Sequence, residues 1–418
     1  MMRLAPLIAL VIAAPVSAQT IAVTHAEAWT LEGETPVRDA TIVIAGGKIV
    51  SVTPGGAVPD GATVIDARGR PVTPGLVNAA TQIGLVEVSG SGDTRDMASA
   101  DERNAGFDMS SALNGNSTLV SLARADGITR ALIYPSPSRF APFNGEASMA
   151  RLREGVDILD AADVGVYAVI GGGAWDRLGS RAVQWAALRK ALVDARPALT
   201  PEKGKWKKGK HDGPPPPGKR AGEALIRAVL RGDVPIAIQT HRESDIRQAA
   251  ALAREFGIRV VIVGGTEAWR AADVLAAANV AVVLDPQINL PGSFDQLGAR
   301  QDNATLLRRA GVAVAIGQAG GAIHSDYNAG MALREGAGIA VANGLSWIEA
   351  LRSVTTAPLA IWGRGGGTLV PGADADLVVW DGDPLEPSTN AVRVIVEGRA
   401  VSNRSRQDVL AERYKDVR

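Results

Sequence analysis

VPIAIQTHRESDIRQAAALAREFGIRVVIVGGTEAWRAADVLAAANVAVVLDP, Val234 to Pro286, carries the pattern that decides the fold. Val234–Thr240 is an apolar run of strand length. Ile246, Ala249, Ala250, Ala253 and Phe256 then recur at helical spacing until Gly257 stops the helix. IRVVIVGG reads as a second strand, TEAWRAADVLAAAN as a second helix with Thr266 as its N-cap, and VAVVLDP as a third strand. Strand–helix–strand units of this kind are parallel and right-handed, which leaves a doubly wound sheet or a (β/α)8 barrel. The span from Gly75 to about Gly363 has the length of a barrel.

The same rhythm extends outward. NATLLRRAG leads into VAVAIGQ, Ser346-Trp347-Ile348-Glu349 is a capping box, and GITRALIYP and VGVYAVIGG are buried-strand candidates upstream. Both ends of the chain instead have β texture. TIAVTHAEAW, DATIVIAGGKIVSV and ATVIDARGRPV lie before the barrel, and ADLVVWDGDPLEP and VRVIVEGRAV after it. The expected fold class is therefore α/β: a distorted (β/α)8 TIM barrel over residues 73–363, plus a small β-sandwich built from residues 19–72 and 364–405. PALTPEKGKWKKGKHDGPPPPGKRAG, residues 197–222, lacks an apolar period and is expected to be a solvated insertion loop. His211 belongs to that loop and is set aside as a ligand.

Composition narrows the chemistry. Lys+Arg and Asp+Glu both number 44, so charge gives no reason to expect a nucleic-acid partner. The absence of cysteine removes disulfides, Cys-bound zinc and thiol nucleophiles together. Only His25, His211, His241 and His324 are present, too few for a histidine-rich centre. MMRLAPLIALVIAAPVSAQT reads as a secretory leader: Arg3, an apolar run Leu4–Ala14, then Val16-Ser17-Ala18 before a cut at Gln19. Residues 1–18 are thus expected to be removed, leaving a periplasmic or secreted protein. No other run approaches the roughly 20 apolar residues of a membrane span.

In a parallel barrel the reactive groups stand at the C-terminal ends of the strands. Those ends offer Asn78, Ala80, Thr81 and Gln82, Pro135-Ser136, Gly171 to Gly173, His241-Arg242-Glu243, Gly264 to Glu267, Asp285 and Gln287, and Gln318. Glu243 and Asp245 suit the first turn of a helix, and Asp285-Pro286 suits a turn.

GTLVPGADADLVVWDGDP, Gly367 to Pro384, and RPVTPGLVNA, Arg70 to Ala79, resemble the exit and entry of the amidohydrolase superfamily barrel, of the imidazolonepropionase-like periplasmic kind. NGEASMARLREG and HRESDIRQAAALAREFG are similar to internal segments of that group. The resemblance implies hydrolysis of a non-peptide C–N bond, amide or cyclic amide, by water activated on one or two divalent ions. Such ions are held by an H-x-H pair, a Lys or Glu, two further histidines and an Asp. Carried over, it sets Ala80 and Gln82 in the H-x-H places and Gly264 and Gly265 in that of a later histidine. VGVYAVIGG offers no Lys or Glu, Gln318 falls near the Asp, and His241 matches a retained histidine.

The expected catalytic residues are His241, His324 and Asp326, with Gln82, Arg242 and Gln318 binding substrate. One divalent ion, zinc, on His241 is the cofactor left open. The alternative is a silent relative whose barrel binds a small molecule or a partner subunit. Expected partners are a small-molecule substrate or ligand and a second copy or an active paralogue.

Overall fold

From Ile21 the chain lays down five strands: β1 (Ile21–Ala28), β2 (Val37–Ala45), β3 (Lys48–Pro54), β4 (Thr63–Asp66) and β5 (Pro71–Pro74). The computed structural model describes residues 20–88, 91–97, 105–136, 143–196, 217–288, 290–318 and 328–416. The expected leader, His211, His324 and Asp326 lie outside the described residues. β14 (Leu377–Trp380), β15 (Ala391–Val396) and β16 (Arg399–Val401) return to the same sheet, in the order β16-β15-β14-β5-β1-β2-β3 with β4 also paired to β1. Both chain ends therefore share one sheet.

β14 shows why its sequence is apolar without alternation. Leu377 and Val379 pack into the core of the terminal sheet, whereas Val378 and Trp380 pack into the core around the barrel. The strand is a partition buried on both faces.

The chain crosses between the two sheets at Pro74-Gly75-Leu76. Pro74 is paired with Leu377 in the terminal sheet, and Leu76 starts the barrel. A Cβ on Gly75 would stand 2.1 Å from Thr129 Oγ1, so only glycine passes.

The second sheet runs β13-β12-β11-β10-β9-β8-β7-β6. Its strands are β6 (Leu76–Thr81), β7 (Ile128–Ile133), β8 (Phe143–Arg151), β9 (Leu159–Val169), β10 (Ile236–Thr240), β11 (Val260–Gly264), β12 (Ala281–Leu284) and β13 (Val314–Ile316). β13 meets β6 across the seam, where Gln318 N–H donates to Ala80 O at 3.2 Å. The interior is filled by Val77, Ala79, Leu132, Met149, Tyr167, Ala237, Val261, Val263, Val283 and Ala315. It is a packed core and not a channel.

The barrel is not parallel throughout. β8 runs antiparallel to both β7 and β9, because the turn 152–158 is too short for the crossover that parallel neighbours require. The basic segment is also shorter than its composition suggests. Residues 217–222 open the helix Pro217–Arg231, with proline at the first helical position, where its missing N–H is no loss.

The antiparallel register brings Arg130 and Arg151 side by side on the barrel floor. Arg130 Nε donates to Asp376 at 2.9 Å, and Arg151 donates to Asp374 at 2.7 Å and to Glu397 at 2.9 Å. Both arginines are under 10% exposed, and Asp160 of β9 joins the group. Arg151→Met is expected to cost about 3–5 kcal/mol in chemical denaturation, because it leaves buried carboxylates without their counter-charge. Arg38→Met, which removes an exposed pair with Glu27, should cost under about 1 kcal/mol. Equal effects would show that the network carries no special weight.

On the outer face of β8, Glu146 is buried. Burial, with a hydrogen bond to Asp163 and the charges of Asp163 and Asp108, pushes it up to about 9. A carboxyl raised on folding supplies stability that is complete below the ordinary glutamate range and is lost as pH rises through about 9. Between pH 7 and 9 the melting temperature should fall more steeply in the native protein than in Glu146→Gln. Parallel curves would rule this out.

Candidate active site

His241 stands directly after β10, and the next two strand ends close around it. Its Nδ1 lies 2.7 Å from Thr266 Oγ1 and 3.4 Å from Gln296 Nε2. Thr266 therefore does not cap its helix as the sequence suggests. The segment after it is a 3-10 turn, Ala268–Ala271, running into a short α-helix, Ala272–Ala277. The hydroxyl is spent on the imidazole. Burial lowers the His241 pKa, and the Asp295 carboxylate partly opposes this. Burial thus favours the neutral ring, and Nε2 lacks a protein partner among the described residues.

Gly264 is part of the same arrangement. At φ +92° it is in a backbone conformation that L side chains rarely adopt, and a Cβ there would lie 2.6 Å from His241 Cε1. The imidazole occupies the space that a side chain on β11 would need.

The loop after β12 reaches over this site and is pinned at several points. Asp295 accepts Gly172 N–H at 2.8 Å and pairs with Arg181. Glu267 accepts Gly298 N–H at 2.9 Å and Glu243 N–H at 2.9 Å, joining the loop to the helix Glu243–Phe256. That helix carries Glu243 and Asp245 in its first turn, as expected. Asp245 binds Trp185 Nε1 and Arg181 Nε and does not cap the backbone. Asp285 begins a turn, with Ile288 N–H on its carbonyl and Gln287 N–H on its side chain. Burial pushes its carboxyl up to about 6.

The other expected site residues fall in different settings. Gln82 donates to Tyr134 O at 3.4 Å and to Ser136 Oγ at 3.3 Å, on the rim beside β7. Arg242 is exposed at the N-cap of the helix after β10. Gln318 is buried, and its side-chain amide lies 3.1 Å from Ala329 O and 3.3 Å from Leu333 N in the orientation that satisfies both. That binds it to the helix Ala329–Ala342. His324 and Asp326 lie outside the described residues. Of the expected residues, the structure sets His241 at the centre of the mouth, Gln82 and Arg242 on its rim, and Gln318 at the seam.

Gln296 and Gln239 were not singled out from sequence, and Thr266 was named at a strand end and as a helix cap, not as a partner of His241. Gln239 shares the inward phase of Ala237 and is half-buried at the end of β10. Its signal was a lone polar residue inside VPIAIQT. Gln296 comes from a loop and left no such mark.

A divalent ion of the kind the resemblance implies needs a donor set. Ala80 lies in the apolar cluster of the barrel interior, and the Gln82 Nε2 donates to neighbouring oxygens. Among the described residues no group of three His, Asp or Glu is placed to hold an ion. The described residues of the mouth do not fit it.

Gly264→Ala should cost about 1–3 kcal/mol and displace the imidazole, seen as a shifted His241 ring resonance. Gly232→Ala, at φ +79° with nothing within 4 Å, is the control for backbone strain alone. An unmoved His241 resonance would dissolve the contact argument.

Known proteins share both pattern and shape. Residues 221–402 match the family model described as "Amidohydrolase family". A stretch of 59 residues, 14% of this chain, is 48% identical to Amidohydrolase tasK of Hapsidospora irregularis, and the match spans 6% of that protein. An amidohydrolase from Thermotoga maritima MSB8 superposes over 92% of this chain and 100% of its own, at TM-score 0.77 and 23% identity. An adenosine deaminase from Xanthomonas campestris with bound zinc covers 96% of this chain and 98% of its own, at TM-score 0.53 and 18% identity. Residues 221–402 thus carry the pattern of the amidohydrolase family model, and the described chain has the fold of the Thermotoga maritima amidohydrolase.

Proposed function

We propose that the chain is an exported hydrolase of C–N bonds other than peptide bonds, and that His241 handles the proton. The carrying observation is the geometry of the imidazole at the barrel mouth, with Nδ1 2.7 Å from Thr266 Oγ1 and Nε2 without a protein partner among the described residues. In this reading the imidazole is the tautomer whose Nδ1–H donates to Thr266 Oγ1, so that Nε2 takes a proton from water as the water oxygen attacks the carbonyl carbon. The same proton then passes to the departing nitrogen as the C–N bond breaks. Gln239 and Gln82 offer amide groups for the substrate, with Arg242 at the entrance.

Magnitude narrows the substrate. General acid–base catalysis contributes typically about 10²- to 10⁴-fold, and enzymes acting on stable bonds need far more. An imidazole working with hydrogen-bond donors alone therefore suits a strained or activated amide, such as a cyclic imide, better than a simple one. His324 and Asp326 are proposed as further catalytic residues, and no step is routed through a metal ion. We also take residues 1–18 as a cleaved leader to the periplasm or exterior, residues 19–72 with 364–405 as a sandwich-like domain, and residues 73–363 as the barrel domain.

The packing of Ala80 and the sparse donor set favour a second reading, a silent relative that binds a small molecule or a partner subunit at the mouth. One experiment separates the two. Turnover of a cyclic imide panel should be lost in His241→Gln. In the native protein it should plateau at neutral pH and decline only below the ordinary imidazole range, because the base must be neutral. Added Zn²⁺ should leave both melting temperature and turnover unchanged. Turnover that survives His241→Gln removes the imidazole from the reaction. Tight ligand binding with no turnover selects the second reading, and stoichiometric metal with zinc-dependent turnover overturns both.

A further inference from the structure

The floor of the barrel, opposite the mouth, holds a cavity of about 370 Å³ that the chemistry above does not use. Its apolar wall is made by the first residues of β11, β12 and β13 (Val260, Ala281 and Val314) and by Ala357 and Ile361 of the helix Thr356–Ile361. Its polar wall is unusual. Arg259, Arg308 and Arg352 converge there from three elements, with Glu349 the only carboxylate among the lining residues.

The charges do not cancel. Arg308 pairs with Glu349 at 3.3 Å. Arg259 donates only to Ile361 O at 3.0 Å, and Arg352 to Gly33 O at 2.9 Å and Leu31 O at 3.4 Å. Neither has a carboxylate partner among the described residues. Two guanidinium groups therefore keep unmatched charge and spare N–H donors on the wall of a concave, half-apolar space. Their backbone-carbonyl partners hold them in place without neutralising them. Arginine is the side chain best shaped to receive a carboxylate through two parallel hydrogen bonds. The volume falls within the range of small-molecule sites.

We propose that this cavity is a second binding site, for a small organic carboxylate whose head meets Arg259 and Arg352 and whose apolar body lies on Val260, Ala281 and Ala357. An inorganic anion would leave the apolar wall unused, and a neutral ligand would leave the arginines unmatched. The site is at the opposite end of the strands from His241.

The test is calorimetric titration of the full chain with benzoate, benzyl alcohol and inorganic phosphate, on native protein, Arg259→Gln, Arg352→Gln, Ala357→Phe and His241→Gln. Benzoate should bind one to one, with benzyl alcohol and phosphate each at least about tenfold weaker. Either arginine variant should weaken benzoate by about tenfold or more, the usual scale for hydrogen bonds to a charged group. Ala357→Phe should abolish binding by filling the cavity, and His241→Gln should leave it unchanged. Should the phenylalanine variant fail to fold, the two arginine variants still decide. Absence of benzoate binding overturns the proposal, as does binding that ignores both arginine changes. Benzyl alcohol or phosphate as tight as benzoate overturns the carboxylate assignment, and loss in His241→Gln would move the ligand to the mouth.

Discussion

Two arginines on the barrel floor set the terms for the rest of the molecule. Arg130 and Arg151 lie opposite each other only because β8 runs against its neighbours. Side by side, they would repel without Asp374 and Asp376, which arrive from the far end of the chain just before β14, and Glu397, which follows β15. The terminal sheet is therefore tied to one end of the barrel by charge as well as by the apolar partition of β14. Even with these partners, burial and the neighbouring carboxylates push Asp376 up to about 6, so the cluster is crowded with acids as well as bases. Such a network is weak evidence for net stability, but it specifies register and orientation.

One side of the floor is held by these ion pairs and the interior is filled by packed side chains, while His241 stands at the opposite face. There the backbone itself makes room. Gly264 allows the ring of His241 to stand against β11, Thr266 fixes one ring nitrogen, and Asp295 and Glu267 hold the covering loop. The setting of His241 thus comes from elements far apart in sequence but adjacent in the barrel order.

Much of this was legible beforehand. The alternation from Val234 to Pro286 gave the order and direction of β10 to β12, and Gly257 ends its helix at φ +66° as a left-handed cap. The antiparallel β8 was not legible. NGEASMAR mixes Asn, Gly, Glu and Ser with its apolar residues, yet every residue from Phe143 to Arg151 is buried. Some of its polar groups meet partners that only the folded chain supplies, such as Asp163 for Glu146 and Pro135 O for the Asn144 amide. Thr266 was misread because a threonine before a helix is ordinarily its cap. A 2.7 Å bond to an imidazole from the previous strand overrides that local preference. Residues such as Gln296 and Asp295 act from a loop, where no periodicity marks them.

A glycine or an alanine in a ligand's place can be read as a loss, and the packing argues for a more specific view. Ala80 is fully buried in the interior cluster, and its carbonyl accepts the Gln318 N–H that closes the seam. Gln82 links the first strand to Tyr134 and Ser136, the Gln318 amide engages the helix Ala329–Ala342, and Gly264 is the contact surface of His241. Each of these positions has a packing or hydrogen-bonding role of its own. A larger imidazole at residue 80 would have to displace neighbours in a close-packed core, and one at residue 264 would have to displace His241. Two of these positions are tied directly, Ala80 to Gln318 by that hydrogen bond, and Gly264 is tied to His241: the imidazole, held as it is, requires the small residue opposite it.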